Sequence, residues 1–276
     1  MPSLGILFAL LSALVWGSGD FLGGAAARRS SQFEVLTLSA FSGVVLLAIL
    51  ALARETTPAA SSVAWAGVAG LATAVGIASL YQGLALGGAA IVAPVAAVVT
   101  ATIPVLFAAF TIGLPDARPL LGFVAALAGI WLVTRAPASA PISGRSLQLA
   151  LLAGAGFGCF LILIAQIESH LVFAPLAVAR TVTLTVALVL LGVRRVPFPS
   201  PVSNYPALMA GMLDAGGNVF FVLAEQHTRL DVAAVLSSLY PVATVALARF
   251  VWRERVTPSQ WAGIAVCLIA VALMAE

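Results

Sequence analysis

Three ionisable side chains stand inside runs of apolar residues, and they are the places where this sequence can do chemistry. Asp214 lies in Met212-Leu213-Asp214-Ala215-Gly216-Gly217-Asn218, with Asn218 one helical turn further along the same face. Arg180 stands about a third of the way into another apolar run, and Asp20 stands near the end of the first. A charge in hydrocarbon costs about 3 kcal/mol or more, so each such residue marks a binding or coupling site by default. Asp214 can titrate or hold a ligand amine, or it can be a structural acid paired with a neighbour. Arg180 is its natural mate, because a guanidinium fork satisfies a carboxylate at two points, whether that carboxylate belongs to the protein or to a solute. Asp20, nearer a helix end, suits a solvated or interfacial role better than a coupling one, but both acids are coupling candidates.

Around these charges stand residues that join an apolar body to one polar edge. Trp16, Tyr81, Gln82, Thr100, Ser237, Ser238 and Tyr240 are expected to line a substrate site together with Arg180, Asp214 and Asn218. Tyr81-Gln82 and Ser237-Ser238 are the most telling, because they interrupt otherwise apolar helices. Pro94, Pro104 and Pro241 are expected hinges, since proline inside a helix deletes a hydrogen bond and bends the rod. Freed carbonyls of that kind survive in a membrane only where protein or a wet cavity receives them.

Other chemistries find no support. His170 and His227 are far apart, and Cys159 and Cys267 read as small apolar side chains rather than a disulfide or metal pair. No catalytic residue, metal or cofactor is expected. The basic residues are all arginine, which excludes lysine nucleophiles and the Gly-x-x-x-x-Gly-Lys phosphate loop, and with it ATP drive in this chain. A net charge of +3, without clustered arginines and aromatics, gives nucleic acid no footing.

The elements that must position the charges follow from composition. The chain is 62% hydrophobic and 8% charged, and its mean hydropathy is +1.13, so its solvent is a lipid bilayer. Ten spans are predicted, roughly Leu4 to Ala25, Phe33 to Ala53, Val63 to Leu86, Ala89 to Gly113, Pro119 to Thr134, Leu147 to Ile167, Phe173 to Val193, Tyr205 to Ala224, Val232 to Trp252 and Pro258 to Ala275. A cleaved signal peptide competes for the first run, but no positive residue precedes it and it is too long. The stretch RAPASAPISGR, Arg135 to Arg145, reads as a linker. The halves are then 1–136 and 146–276, with 137–145 between them.

The second half repeats the first. Ala96 to Val105 (AAVVTATIPV) aligns without a gap on Ala233 to Val242 (AAVLSSLYPV), so Pro104 meets Pro241. Trp16-Gly17 corresponds to Phe157-Gly158, and Leu121-Gly122 to Ala262-Gly263. Five spans per half is an odd number, so two like halves must face opposite ways in the bilayer. The expected fold is all-α: ten transmembrane helices as two inverted five-helix repeats around a central cavity.

These residues also carry a family likeness. Trp16-Gly17-Ser18-Gly19-Asp20-Phe21-Leu22-Gly23-Gly24 with Arg28-Arg29, Ser237-Ser238-Leu239-Tyr240-Pro241-Val242-Ala243-Thr244, Arg253-Glu254-Arg255 and Gln260-Trp261-Ala262-Gly263 resemble the ten-helix EamA-type permeases of the drug/metabolite transporter superfamily. The first half departs from that pattern, with Leu114-Pro115-Asp116-Ala117-Arg118 where a Gly-Glu-Arg turn would stand. The resemblance implies export of small organic solutes, and amino acids, aromatic ones included, are known cargoes of such exporters. The usual drawing puts both termini in the cytoplasm. The arginine tally says the reverse: Arg28, Arg29, Arg135, Arg145, Arg194, Arg195, Arg253 and Arg255 share one face, against Arg54, Arg118 and Arg229 on the other.

The expected function is secondary active export of small organic metabolites, amino acids first, from a monomer in a bacterial cytoplasmic (inner) membrane. The alternatives are an uncoupled facilitator or exchanger of solutes such as nucleosides or organic cations, a membrane-embedded enzyme, and a regulatory subunit that transports nothing.

Overall fold

The computed structural model describes residues 2–28, 30–86, 89–135, 144–168, 170–195, 199–200 and 204–275. Every regular element described is a helix. The first half holds α1 (Pro2–Ala27), α2 (Gln32–Arg54), α3 (Ala60–Ala85), α4 (Ala89–Thr111) and α5 (Ala117–Thr134). The second holds α6 (Gly144–Ile164), α7 (Phe173–Val193), α8 (Tyr205–Glu225), α9 (Leu230–Ser237), α10 (Tyr240–Val251) and α11 (Pro258–Ala275). Among the described residues nine segments are long and apolar enough to cross a bilayer, counting Leu230–Val251 as one, and the apolar helix Pro258–Met274 is shorter. Most of the expected linker, residues 136–143, lies outside the described residues.

The ninth span differs from the expectation, because it is two helices with a break at Ser238 and Leu239. Pro241 has no N–H to offer the carbonyl of Ser237, and its ring crowds the turn before it. The chain tightens there: Leu239 N donates to Leu236 O at 3.2 Å and Val242 N to Leu239 O at 2.9 Å. The equivalent Pro104 and its neighbour Pro94 stay inside one unbroken α4, both buried. The repeated proline thus ends a helix in one half only.

Packing is mirrored between the halves. α1 lies on α8 as α6 lies on α3; α2 touches α8 as α7 touches α3; α4 packs on α6 as α9 and α10 pack on α1. α2 against α7 and α5 against α11 complete the set, each partner being the other's equivalent. One contact recurs in detail. A Cβ on Gly217 would stand 2.6 Å from Trp16 Nε1, and one on Gly76 would stand 2.9 Å from ring carbons of Phe157. An aromatic ring of the first helix of each half therefore rests on a bare glycine of the third helix of the other.

Glu55, just past α2, anchors the start of α7. Its Oε1 accepts from Val172 N at 2.6 Å and Phe173 N at 2.8 Å, and its Oε2 accepts from Ala174 N at 2.7 Å. A carboxylate on the exposed amides of a helix N-terminus satisfies them and opposes the helix dipole.

Gly217→Val is expected to push Trp16 off α8 and lower thermal stability in detergent by about 1–3 kcal/mol, as overpacking does. Gly67→Ala, with no atom within 4 Å of the new Cβ, is expected to be neutral or slightly stabilising. Equal melting temperatures for the two variants would contradict the ring-on-glycine contact.

Candidate functional site

A cavity of about 300 Å³ lies between the halves. Its lining carries the repeat with unusual fidelity. Trp16 is matched by Phe157, Gly19 by Phe160 and Asp20 by Leu161; Val35 is matched by Leu176 and Ser39 by Arg180; Thr73 is matched by Asp214 and Ile77 by Asn218. The same number of residues separates the members of every pair, so equivalent faces of equivalent helices enclose the space.

The mirror holds for position and fails for charge. Asp20, Arg180 and Asp214 face equivalents that are Leu161, Ser39 and Thr73. The charged side chains come from α1, α7 and α8, whereas α3 and α6 supply Ile77, Leu80, Phe157, Phe160 and Leu161. The charges thus come from one set of helices, and most of the apolar and aromatic lining comes from another. This suits a solute with a charged head and a greasy body.

Arg180 and Asp214 form an ion pair between α7 and α8. The arginine side chain is 10% exposed and the aspartate side chain 42%, and both line the cavity. One glycine makes room for the arginine: a Cβ on Gly43 would stand 3.2 Å from Arg180 Nε and 3.3 Å from Gly211 O. The Asp214 carbonyl is a second anchor, accepting from Asn218 Nδ2 at 2.7 Å and Trp16 Nε1 at 3.2 Å. Trp16 in turn stacks on Phe221, with centroids 6.1 Å apart, and meets the edge of Tyr240 at 6.3 Å. Asp20 is exposed on the cavity wall and has no ion-pair or hydrogen-bond partner among the described residues.

The candidate residues thus divide. Trp16, Asp20, Thr100, Arg180, Asp214, Asn218, Ser238 and Tyr240 line the cavity. Thr100 is buried and spends its hydroxyl on Ala96 O at 2.8 Å, which leaves it packing rather than reaching. Ser238, at the helix break, is 1% exposed and its hydroxyl has no partner among the described residues. Gln82 is exposed and Ser237 is buried with its hydroxyl on Ala9 O at 3.4 Å; neither lines the cavity. The Tyr81 side chain lies outside the described residues. Asp20 lies seven residues before the end of α1 at Ala27, on the cavity lining. Sequence reasoning missed Phe157, Phe160, Ser39 and Thr73, although stepping by the repeat interval from Trp16, Gly19, Arg180 and Asp214 finds all of them.

Membrane-length helices in two mirrored halves around a polar cavity define an integral membrane protein with the architecture of a carrier. The comparisons agree with that class. The model of the EamA-like transporter family matches residues 3–135 and again residues 144–275. The chain belongs to the EamA-like transporter family, a family of transporters rather than enzymes. A solved structure titled only as the crystal structure of a protein is similar over 98% of this chain and 95% of its own, at 19% identity and a TM-score of 0.75, a likeness of fold. No curated protein matches the chain.

Removing one member of the ion pair leaves the other stranded. Asp214→Ala is expected to cost about 3 kcal/mol in a detergent unfolding assay, and the double variant Arg180→Met, Asp214→Leu to recover most of that loss. A double variant no more stable than the single one would contradict the pairing.

Proposed function

We propose that this protein is a secondary active carrier that exports small amine-bearing organic metabolites, amino acids with apolar or aromatic side chains among them, across a bacterial cytoplasmic membrane. The observation that supports this reading best is the cavity whose lining positions recur at one interval along the chain. Two copies of one fold facing opposite ways can exchange conformations, closing one entrance as the other opens. Helices of a single chain enclose the cavity, so a monomer suffices. Asp20, which has no ion-pair or hydrogen-bond partner among the described residues, takes up and releases a proton or a solute amine, whereas Asp214 does so only by loosening Arg180. The break at Ser238 and Leu239 is the hinge with the softest backbone, and Pro94 and Pro104 stiffen or bend the equivalent helix.

Flux in reconstituted vesicles tests this directly. Saturable, counterflow-competent exchange of amino acids above empty vesicles is expected, and leakage without saturation would contradict it. Asp214→Asn is expected to reduce pH-driven flux in a protein that still inserts and folds. Unchanged pH dependence would remove Asp214 from the coupling role and leave Asp20.

A further inference from the structure

We infer that the cavity takes an apolar monocation, an amine carrying no carboxylate, in preference to a zwitterion. This rests on the carrier reading and narrows its solute. The lining holds two carboxylates, Asp20 and Asp214, and one guanidinium, Arg180, and these are the charged side chains among the described residues that line the cavity. Arg180 is already paired. Its partner is Asp214, only 10% of its side chain is exposed, and Gly43 leaves the space that holds it there.

An amino acid brings its own carboxylate into this space. That group has two courses open to it. It can displace Asp214 from Arg180, which strands the Asp214 carboxylate without its counter-ion, or it can lie unpaired against apolar residues. Both courses cost binding. The neutral groups compensate only in part: Trp16 Nε1 and one Asn218 N–H are spent on the Asp214 carbonyl, Thr100 spends its hydroxyl on its own helix, and the Ser238 hydroxyl is neutral and 1% exposed. A monocation meets neither difficulty. Its ammonium neutralises Asp20, which has no partner among the described residues, and its body lies against Phe157, Phe160 and Leu161. The inverted repeat sharpens the geometry, because the apolar Leu161 occupies the position equivalent to Asp20. Head and tail are therefore sorted onto equivalent sites of the two halves.

The experiment uses the full chain in proteoliposomes, with counterflow of labelled phenethylamine and labelled phenylalanine measured side by side. These solutes share a ring and an amine and differ by one carboxylate. Phenethylamine is expected to exchange with a kcat/KM about tenfold or more above phenylalanine, the scale of one uncompensated charge contact. Asp20→Asn is expected to abolish the preference, and Asp20→Glu to retain it, in variants that melt like the parent. Phenylalanine exchanging as fast as the amine or faster would overturn the inference while leaving the carrier reading intact. A preference that survives Asp20→Asn would overturn it as well. No exchange of either solute above empty vesicles would defeat both.

Discussion

The whole arrangement depends on where charge can exist inside a bilayer. An ionised side chain among lipid tails must find an opposite charge or water. Arg180 and Asp214 find each other, and the space beside Gly43 lets that happen without forcing α2 and α7 apart. Asp20 finds no such mate among the described residues, so its carboxylate requires the cavity to be wet. The apolar lining from α3 and α6 then follows. If every side carried charges the space would be a water-filled pore with nothing to hold a greasy solute.

Duplication supplies the frame and divergence supplies the function. The mirrored contacts, and the rings of Trp16 and Phe157 each resting on a glycine of the other half, are what two inverted copies of one five-helix unit must give. Charge has been kept or gained at three lining positions and is absent from their equivalents. The proline of the shared motif ends a helix near Ser238 but leaves α4 continuous around Pro104. Glu55 anchors the start of α7 through both carboxylate oxygens. The two halves keep a common backbone plan with different polar chemistry.

The fold was legible in the sequence because its determinants are local: apolar runs of membrane length, short polar breaks and a repeat visible without gaps. The charged residues of the site were legible for a related reason, since Asp214 and Arg180 are conspicuous in apolar runs. The partners of those charges were not. Whether Arg180 is free or committed depends on α7 and α8 meeting in space, and Gly43, which makes room for it, is an ordinary small residue when read along the chain. Ser237 and Ser238 illustrate the limit. Adjacent side chains on a helix point about 100° apart, so one seals against Ala9 while its neighbour faces the cavity, and composition cannot say which.

The central claim is that one cavity, shared by two inverted halves, opens in turn to each face of the membrane. The most direct measurement is labelling of a single cysteine at Ile77, in a chain carrying Cys159→Ala and Cys267→Ala, by a membrane-impermeant thiol reagent added to either side of oriented vesicles. The account predicts modification from both faces, with a transported solute slowing both reactions. Modification from one face alone, at a rate no solute changes, would contradict it.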